Sequence, residues 1–206
     1  RTSIPDGSAS TQNFTISVTD VNESGVSAIS DSDAAADTVL ENATVGSAVG
    51  VTAFADDSDG TDTVSYSLDD NAGGRFAINA STGEVTVAGG IDREAAGTYD
   101  IIVRATSSDT STTTRTFTIV IGDVDEFDVG AVSDSDGSAN AVDENAANGT
   151  VVGVTALASD ADATNNTITY SLDDNAGGRF AINASTGVVT VADGTLLDRE
   201  AVASHD

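Results

Sequence analysis

Residues Tyr66–Gly83 read YSLDDNAGGRFAINASTG, and residues Tyr170–Gly187 read the same eighteen residues again, at an offset of 104. Upstream the offset is 103, where Glu41-Asn42-Ala43 recurs as Glu144-Asn145-Ala146. Downstream it is 106, where Asp92-Arg93-Glu94 recurs as Asp198-Arg199-Glu200. A drift of this size is what loops of different length on one scaffold produce. The termini fit the same period. Arg1–Glu23 (RTSIPDGSASTQNFTISVTDVNE) parallels Arg104–Glu126 (RATSSDTSTTTRTFTIVIGDVDE), and Ser204-His205-Asp206 parallels Thr98-Tyr99-Asp100. The organisation read from this is a closing strand and linker of a preceding repeat at 1–23, a complete repeat at 24–126, and a second repeat lacking its last strands at 127–206. A chain cut out of phase with its repeats, and without an initiating Met, is expected to be an excerpt of a longer array or one half of a strand-donation joint between copies.

Outside the repeated motif, apolar residues alternate with polar ones, as in half-buried strands. The first repeat carries Val49/Val51/Ala53, Val64/Tyr66/Leu68, Val85/Val87, Tyr99/Ile101/Val103/Ala105 and Phe117/Ile119/Ile121. The second echoes these with Val152/Val154/Ala156, Ile168/Tyr170/Leu172 and Val189/Val191, and Phe14/Ile16/Val18 marks the same pattern near the start. Turn signals separate the runs at Asp59-Gly60, Ala72-Gly73-Gly74 and Thr82-Gly83, and no 3.6-residue stripe is present. About seven short strands per ~100 residues predict an all-β fold of tandem Ig-like, antiparallel Greek-key β-sandwiches.

The charge balance narrows the function. The 206 residues include 34 acidic and 7 basic side chains, a net charge of −27, with no Cys. Nucleic acid is excluded as a partner, because phosphate contacts need Lys/Arg clusters. Anionic membrane surfaces would repel the chain, and no apolar run approaches the roughly 18 residues of a membrane span. Thiolate metal sites and Cys nucleophiles are absent. A hydrophobic content of 39% with a single Pro is not the composition of a disordered polyanion. So much negative charge on a folded chain calls for salt or bound cations.

The acids recur in order. Each repeat has an early Glu-Asn (Glu41, Glu144), an Asp-x-Asp (Asp57/Asp59, Asp160/Asp162), an Asp-Arg-Glu (Asp92/Glu94, Asp198/Glu200) and a closing acidic linker (Asp20-Val21-Asn22-Glu23, Asp123-Val124-Asp125-Glu126). Carboxylates two residues apart on a bent loop converge on one cation. Calcium takes six to eight oxygens in irregular geometry, and oxygen ligands without His or Cys select hard cations. A further group, Asp31-Ser32-Asp33 with Asp37 and its echo Asp134-Ser135-Asp136, reads either as another cation site or as a solvated turn. Asp69-Asp70-Asn71 and Asp173-Asp174-Asn175 read as hairpin turns, and Arg93 and Arg199 as clamps on neighbouring carboxylates.

In this order of motifs the chain resembles the cadherin repeat, in the tandem form of large bacterial surface proteins. The resemblance implies Ca2+ held between consecutive repeats. Carried over, the central joint would use Glu41, Asp92, Glu94, Asp123, Asp125, Glu126, Asp160 and Asp162. The joint before it would use Asp20, Asn22, Glu23, Asp57 and Asp59, and the joint after it Glu144, Asp198 and Glu200. The linkers depart from the family's D-x-N-D-N, and the family's acid after the sixth strand is replaced at Ala105-Thr106-Ser107, leaving Asp109 as a substitute.

Catalysis is not indicated. The carboxylate pairs recur along an array and not in a groove. His205 is the only His and stands where Tyr99 stands in the first repeat, so it reads as a packing position. The expected function is a calcium-rigidified structural repeat of an extracellular adhesin or cell-surface filament, with other copies of itself as head-to-tail partners. The alternatives are a calcium-dependent polysaccharide- or self-binding module and a spacer in a larger secreted enzyme.

Overall fold

The computed structural model describes residues 2, 3, 5–19 and 21–205. In chain order its strands are β1 (Thr2–Ser3), β2 (Ala9–Ser10), β3 (Ser30–Asp31), β4 (Thr38–Leu40), β5 (Ala48–Phe54), β6 (Val64–Asp70) and β7 (Phe76–Ile78). They continue with β8 (Glu84–Val87), β9 (Thr98–Ser107), β10 (Thr112–Gly122), β11 (Ser133–Asp134), β12 (Val151–Leu157), β13 (Phe180–Ile182) and β14 (Val188–Val191), then one 3-10 turn at Gly194–Leu196. Residues 1–37, 44–89 and 99–119 form one unit, and residues 38–43, 90–98 and 120–206 a second. The division cuts across the sequence repeats: the loops carrying Glu41, Asp92–Glu94 and Asp123–Glu126 all belong to the second unit.

The first sequence repeat folds as a β-sandwich. One sheet has the order β3-β5-β8-β7, all antiparallel, with Phe76 opposite Val87 and Ile78 opposite Val85. The other sheet has the order β4-β10-β9-β6. There β6 and β9 are antiparallel (Tyr66 opposite Ala105), whereas β10 and β4 are parallel (Ile121 opposite Val39). The antiparallel sandwich expected from the sequence is present, and this ladder is a parallel exception within it. No hairpin joins β4 to β10, so nothing forces the antiparallel sense. The alternating apolar positions supply the core: Val49, Val51, Phe76, Val85, Val87, Ile101, Val103 and Ile119 are all at most 2% exposed. The Tyr66 hydroxyl meets its hydrogen-bonding need inside the core, accepting from the Ala55 amide (2.9 Å) and donating to the Ala55 carbonyl (3.2 Å).

A bulge in β5 shifts its register against β8 between Ala48 and Thr52. Gly50 sits there at φ +82°, and a Cβ would run into the Ala36 carbonyl. The second repeat reproduces the device in β12, with Gly153 at φ +78° against the Ala139 carbonyl. Only glycine fits a left-handed position this close to backbone.

The second unit contains the sheet β11-β12-β14-β13 over a smaller core of Val152, Val189, Val191 and Leu197, with Val142, Val154 and Phe180 partly buried against it. Two expected strands are absent. Residues 168–172, the counterpart of most of β6, form no strand. In the first unit β6 pairs with β9, and the 206 residues contain only the first three counterparts of β9, Ser204-His205-Asp206. A strand with no ladder partner leaves its backbone groups to water. Likewise Phe14, Ile16 and Val18 stand 80%, 86% and 93% exposed on a segment without strand structure.

Candidate metal centre

Three acidic clusters bring carboxylate oxygens within 4.8 Å of one another: Glu41/Glu94/Asp123, Asp57/Asp62/Asp109 and Glu144/Asp198/Glu200. Each is built by the loops between strands and not by the strands themselves.

The first cluster lies wholly in the second unit. Glu41 directly follows β4 and is 9% exposed. Its Oε2 accepts from the Arg93 amide (2.6 Å) and its Oε1 from the Val124 amide (2.8 Å). One buried carboxylate thus ties the Asp-Arg-Glu turn to the acidic linker. Glu94 Oε1 accepts from the Ala163 amide at 2.9 Å. Asp123 Oδ2 accepts from the amide and hydroxyl of Thr164, and its Oδ1 is buried without a partner. Asp162, 2% exposed, accepts from the amides of Glu126 (3.2 Å) and Phe127 (3.3 Å), while Asp160 Oδ1 accepts from the Asp162 amide. Asp92 stands apart from the triad and caps the turn at the Ala95 amide (3.0 Å).

Crowded charge shows in the protonation equilibria. Asp162 and burial push Asp125 above the usual carboxylate range. Burial, then Glu41 and Glu94, push Glu126 up. Glu94 is pulled down by the Ala163 amide, but burial and the charges of Glu41 and Asp123 raise it on balance. Such groups hold protons more tightly folded than unfolded, so their contribution to stability falls as pH rises past the ordinary 3.8 of Asp and 4.5 of Glu. Asp109 and Asp134 shift the other way, held low by Ser111 and by the Thr155 amide, so their contribution is lost only as pH falls below 3.8. In metal-free buffer the melting midpoint is therefore expected to decline as pH rises from about 4.5 toward 7. A profile rising steadily across that interval would show that the acids do not repel.

The second cluster lies in the first unit. Asp57, 9% exposed, is a member of this group and has a buried Oδ2 without a hydrogen-bond partner. Asn22 donates to Asp109 Oδ2 at 3.0 Å. Asp59 accepts from the amides of Glu23 (3.2 Å) and Ser24 (2.9 Å), the same clasp that Asp162 makes on its own linker. Asp20 lies outside the described residues. Asp62, which accepts from the Ser108 hydroxyl, is absent from the residues expected from sequence. The available signal was a third acid in the Asp57–Asp62 loop, and its counterpart in the second repeat is not acidic. The third cluster shares two positions with the first, Glu144 for Glu41 and Glu200 for Glu94, and adds Asp198 in place of Asp123: Glu144 Oε2 accepts from the Arg199 amide (3.1 Å), and Asp198 Oδ1 from the amides of Glu200 and Ala201.

Other expectations resolve as structure. Arg93 and Arg199 reach their carboxylates through backbone N–H groups, which corrects the clamp reading; the ion pair among the described residues is Arg104–Asp69 at 2.5 Å. Asp31 Oδ1 accepts from the amides of Asp33 and Thr52 (both 3.0 Å), and Asp134 does the same for Asp136 and Thr155, so this group is a turn in both repeats. Asn71 and Asn175 each cap a glycine amide at 2.8 Å, as hairpin turns do. His205 packs edge-on against Phe180 (6.0 Å between ring centres), as Tyr99 packs on Phe76 (6.2 Å).

The residues fit a hard divalent cation. Their donors are all oxygens, and two buried carboxylate oxygens, Asp123 Oδ1 and Asp57 Oδ2, lack any partner within the protein. An unpaired buried carboxylate oxygen is costly unless a cation or water satisfies it.

The cadherin domain family matches residues 37–122 and again residues 139–206. Protocadherin Fat 1 of Homo sapiens is 33% identical over 138 residues, 66% of this chain and 3% of that protein. Cadherin-23 of Mus musculus is 31% identical over 181 residues, 85% of this chain and 5% of that protein. The chain therefore spans a few per cent of the length of these relatives. Among solved structures, mouse Cadherin-23 EC22-24 superposes with a TM-score of 0.67 at 26% identity, covering 85% of this chain and 56% of that one. The protocadherin gammaB7 EC3-6 cis-dimer shares the fold, with a TM-score of 0.68 at 21% identity. No helix among the described residues is long and apolar enough to cross a membrane.

Proposed function

This chain belongs to the cadherin domain family, and from that premise we propose that it is a calcium-rigidified structural segment of an extracellular adhesin or cell-surface filament. Cadherin domains are extracellular adhesion modules and not enzymes, and calcium rigidification is typical of them. The observation that carries the reading is the Glu41/Glu94/Asp123 cluster with its buried, unpartnered Asp123 Oδ1. Bound Ca2+ would supply the positive charge and the oxygen coordination that these carboxylates lack. Glu41, Glu94, Asp123 and Glu126 would hold it there, and Asp57, Asp62 and Asp109 would hold it in the first unit. Without it, the like charges that raise Glu126 and Asp125 drive the linker loops apart. With it, the same charges bridge the linker to the Asp-Arg-Glu turn. Asp162 and Asp59 act differently: each clasps two linker amides and sets where the linker runs.

The partner in this proposal is a further copy of the same repeat, joined head to tail by strand donation. The setting it assigns is the tandem array of a large bacterial surface protein; the relatives named above are human and mouse proteins, and they share the repeat and not the setting. The test is a distance measurement. The chain has no Cys, so spin labels at Ser67→Cys and Ser171→Cys report on the two repeats alone. The distance distribution is expected to be broad in EGTA and to narrow in millimolar calcium but not magnesium. Equal widths in all three would reject calcium rigidification.

A further inference from the structure

The turn ahead of β12 holds the single Asn-Gly step of the sequence, Asn148-Gly149, among twelve asparagines. Glycine has no Cβ to shield its own amide nitrogen, and its freedom in φ lets that nitrogen reach back to the preceding side chain. Gly149 sits at φ +87° with open space where a Cβ would be. The fold engages both halves of the step. The Gly149 N–H donates to the Val191 carbonyl at 2.7 Å, closing the turn onto the end of β14. Asn148 Oδ1 accepts from the Gly194 amide at 3.0 Å, which ties the side chain to the 3-10 turn Gly194–Leu196. The first repeat builds the same turn without the reactive side chain. There Gly46, at φ +95°, donates to the Val87 carbonyl at 2.8 Å, and Val45 stands where Asn148 stands.

We infer that Asn148-Gly149 is a self-modification site gated by the fold: Asn148 deamidates in chains whose Gly149–Val191 hydrogen bond has opened. The step needs only water. The Gly149 nitrogen gives up its proton to solvent base and attacks Asn148 Cγ. The N–Cγ bond forms, the Cγ–Nδ2 bond breaks, and the amide nitrogen leaves as ammonia with a proton from water. Water then opens the five-membered imide at either of its carbonyls, giving aspartate or isoaspartate, and nothing is oxidised or reduced. An N–H that donates to a carbonyl at the end of the β12–β14 ladder is free neither to lose its proton nor to attack. The folded chain therefore reacts at the open-state rate scaled by the fraction open. Isoaspartate carries the main chain through its side-chain carbon, so the Gly149–Val191 bond and the neighbouring Thr150–Ala147 bond (3.1 Å) lose their register. Either product adds a carboxylate to a chain of net charge −27, four residues from Glu144. Opening of this turn is thereby recorded covalently in the second repeat, and the first repeat, with Val45 in that place, records nothing.

Tandem mass spectrometry of the full chain follows the conversion of amide to acid, with a peptide of residues 143–154 as the unprotected reference in the same mildly alkaline buffer. In the native chain Asn148 is expected to convert at least about tenfold more slowly than in the peptide, and at the peptide's rate in unfolding urea. Aspartyl-glycyl steps close by losing water and open by regaining it, so they leave the mass unchanged and do not confuse the reading. Two matched core variants locate the gate. Val191→Ala truncates a side chain 1% exposed in the second core, and Val87→Ala truncates its counterpart, 1% exposed in the first. Val191→Ala should speed conversion of Asn148 several-fold toward the peptide's rate, and Val87→Ala should leave it unchanged. If Val191→Ala does not fold, the unsubstituted chain in graded sub-denaturing urea gives the same reading, as a rate that climbs with opening. Conversion as fast in the native chain as in the peptide, another asparagine converting first, or an equal response to the two variants would overturn the inference.

Discussion

Saturating calcium is expected to raise the melting midpoint of this chain by about 10–20 °C over EGTA. A site filled to about a hundred times its dissociation constant contributes ~2.7 kcal/mol, and each kcal/mol moves a domain of this size by about 4–8 °C. Magnesium should do much less, because it keeps its water and demands octahedral geometry that these loops do not offer. Two substitutions separate the ion's effect from the fold's. Glu126→Gln removes a carboxylate that Glu41 and Glu94 repel. It should leave the EGTA midpoint unchanged or slightly higher and shrink the calcium increment by half or more. Glu41→Gln should lower the midpoint even in EGTA, because its carboxylate accepts from both the Arg93 and Val124 amides and charge-assisted bonds of this kind are about twice as strong as neutral ones. A midpoint that rises equally with sodium chloride alone would reduce the acids to self-repulsion relieved by screening. Calorimetric or dichroism melts across the titration decide between these.

The periodicity of the sequence translated well where each strand has its ladder partner. β5, β8, β9 and β10 all lie where alternation placed them, because alternate residues on a pleated strand face one sheet surface. Alternation specifies which face is buried and not whether a partner strand exists. That is why Ile168/Tyr170/Leu172 and Phe14/Ile16/Val18 read as strands and are none here. The parallel β4–β10 ladder was equally illegible, since pairing sense depends on how the chain crosses between sheets. In the candidate centre, Glu41, Glu94 and Asp123 were legible as a repeated motif, and so was the His205 packing position. Asp62 was not, because an acid in a loop after Asp59-Gly60 looks the same whether it caps a turn or faces Asp57 and Asp109. The dual role of the Asp-x-Asp motif was also invisible: spacing shows that two carboxylates converge, but not that Asp59 and Asp162 spend their oxygens on linker amides.

The identical eighteen-residue motif provides its own control for how far local sequence decides stability. Phe76 and Phe180 share every neighbour within it, yet Phe76 is 2% exposed while Phe180 is only half-buried. Removing a fully buried phenylalanine costs ~3–5 kcal/mol, as lost transfer energy plus the cavity left behind. Phe76→Ala should therefore bring the first unit close to its unfolding threshold, given that domains of this size hold only ~5–15 kcal/mol, and it also removes the edge contact with Tyr99. Phe180→Ala should cost about half as much or less, since part of its ring already faces water. Urea melts of the two variants, read by amide exchange in each unit, measure the difference directly. Equal costs would mean that the eighteen residues set their own burial. A gap of that size would mean that burial is set by strands distant in sequence, as β10 sets it for Phe76 by covering the same core.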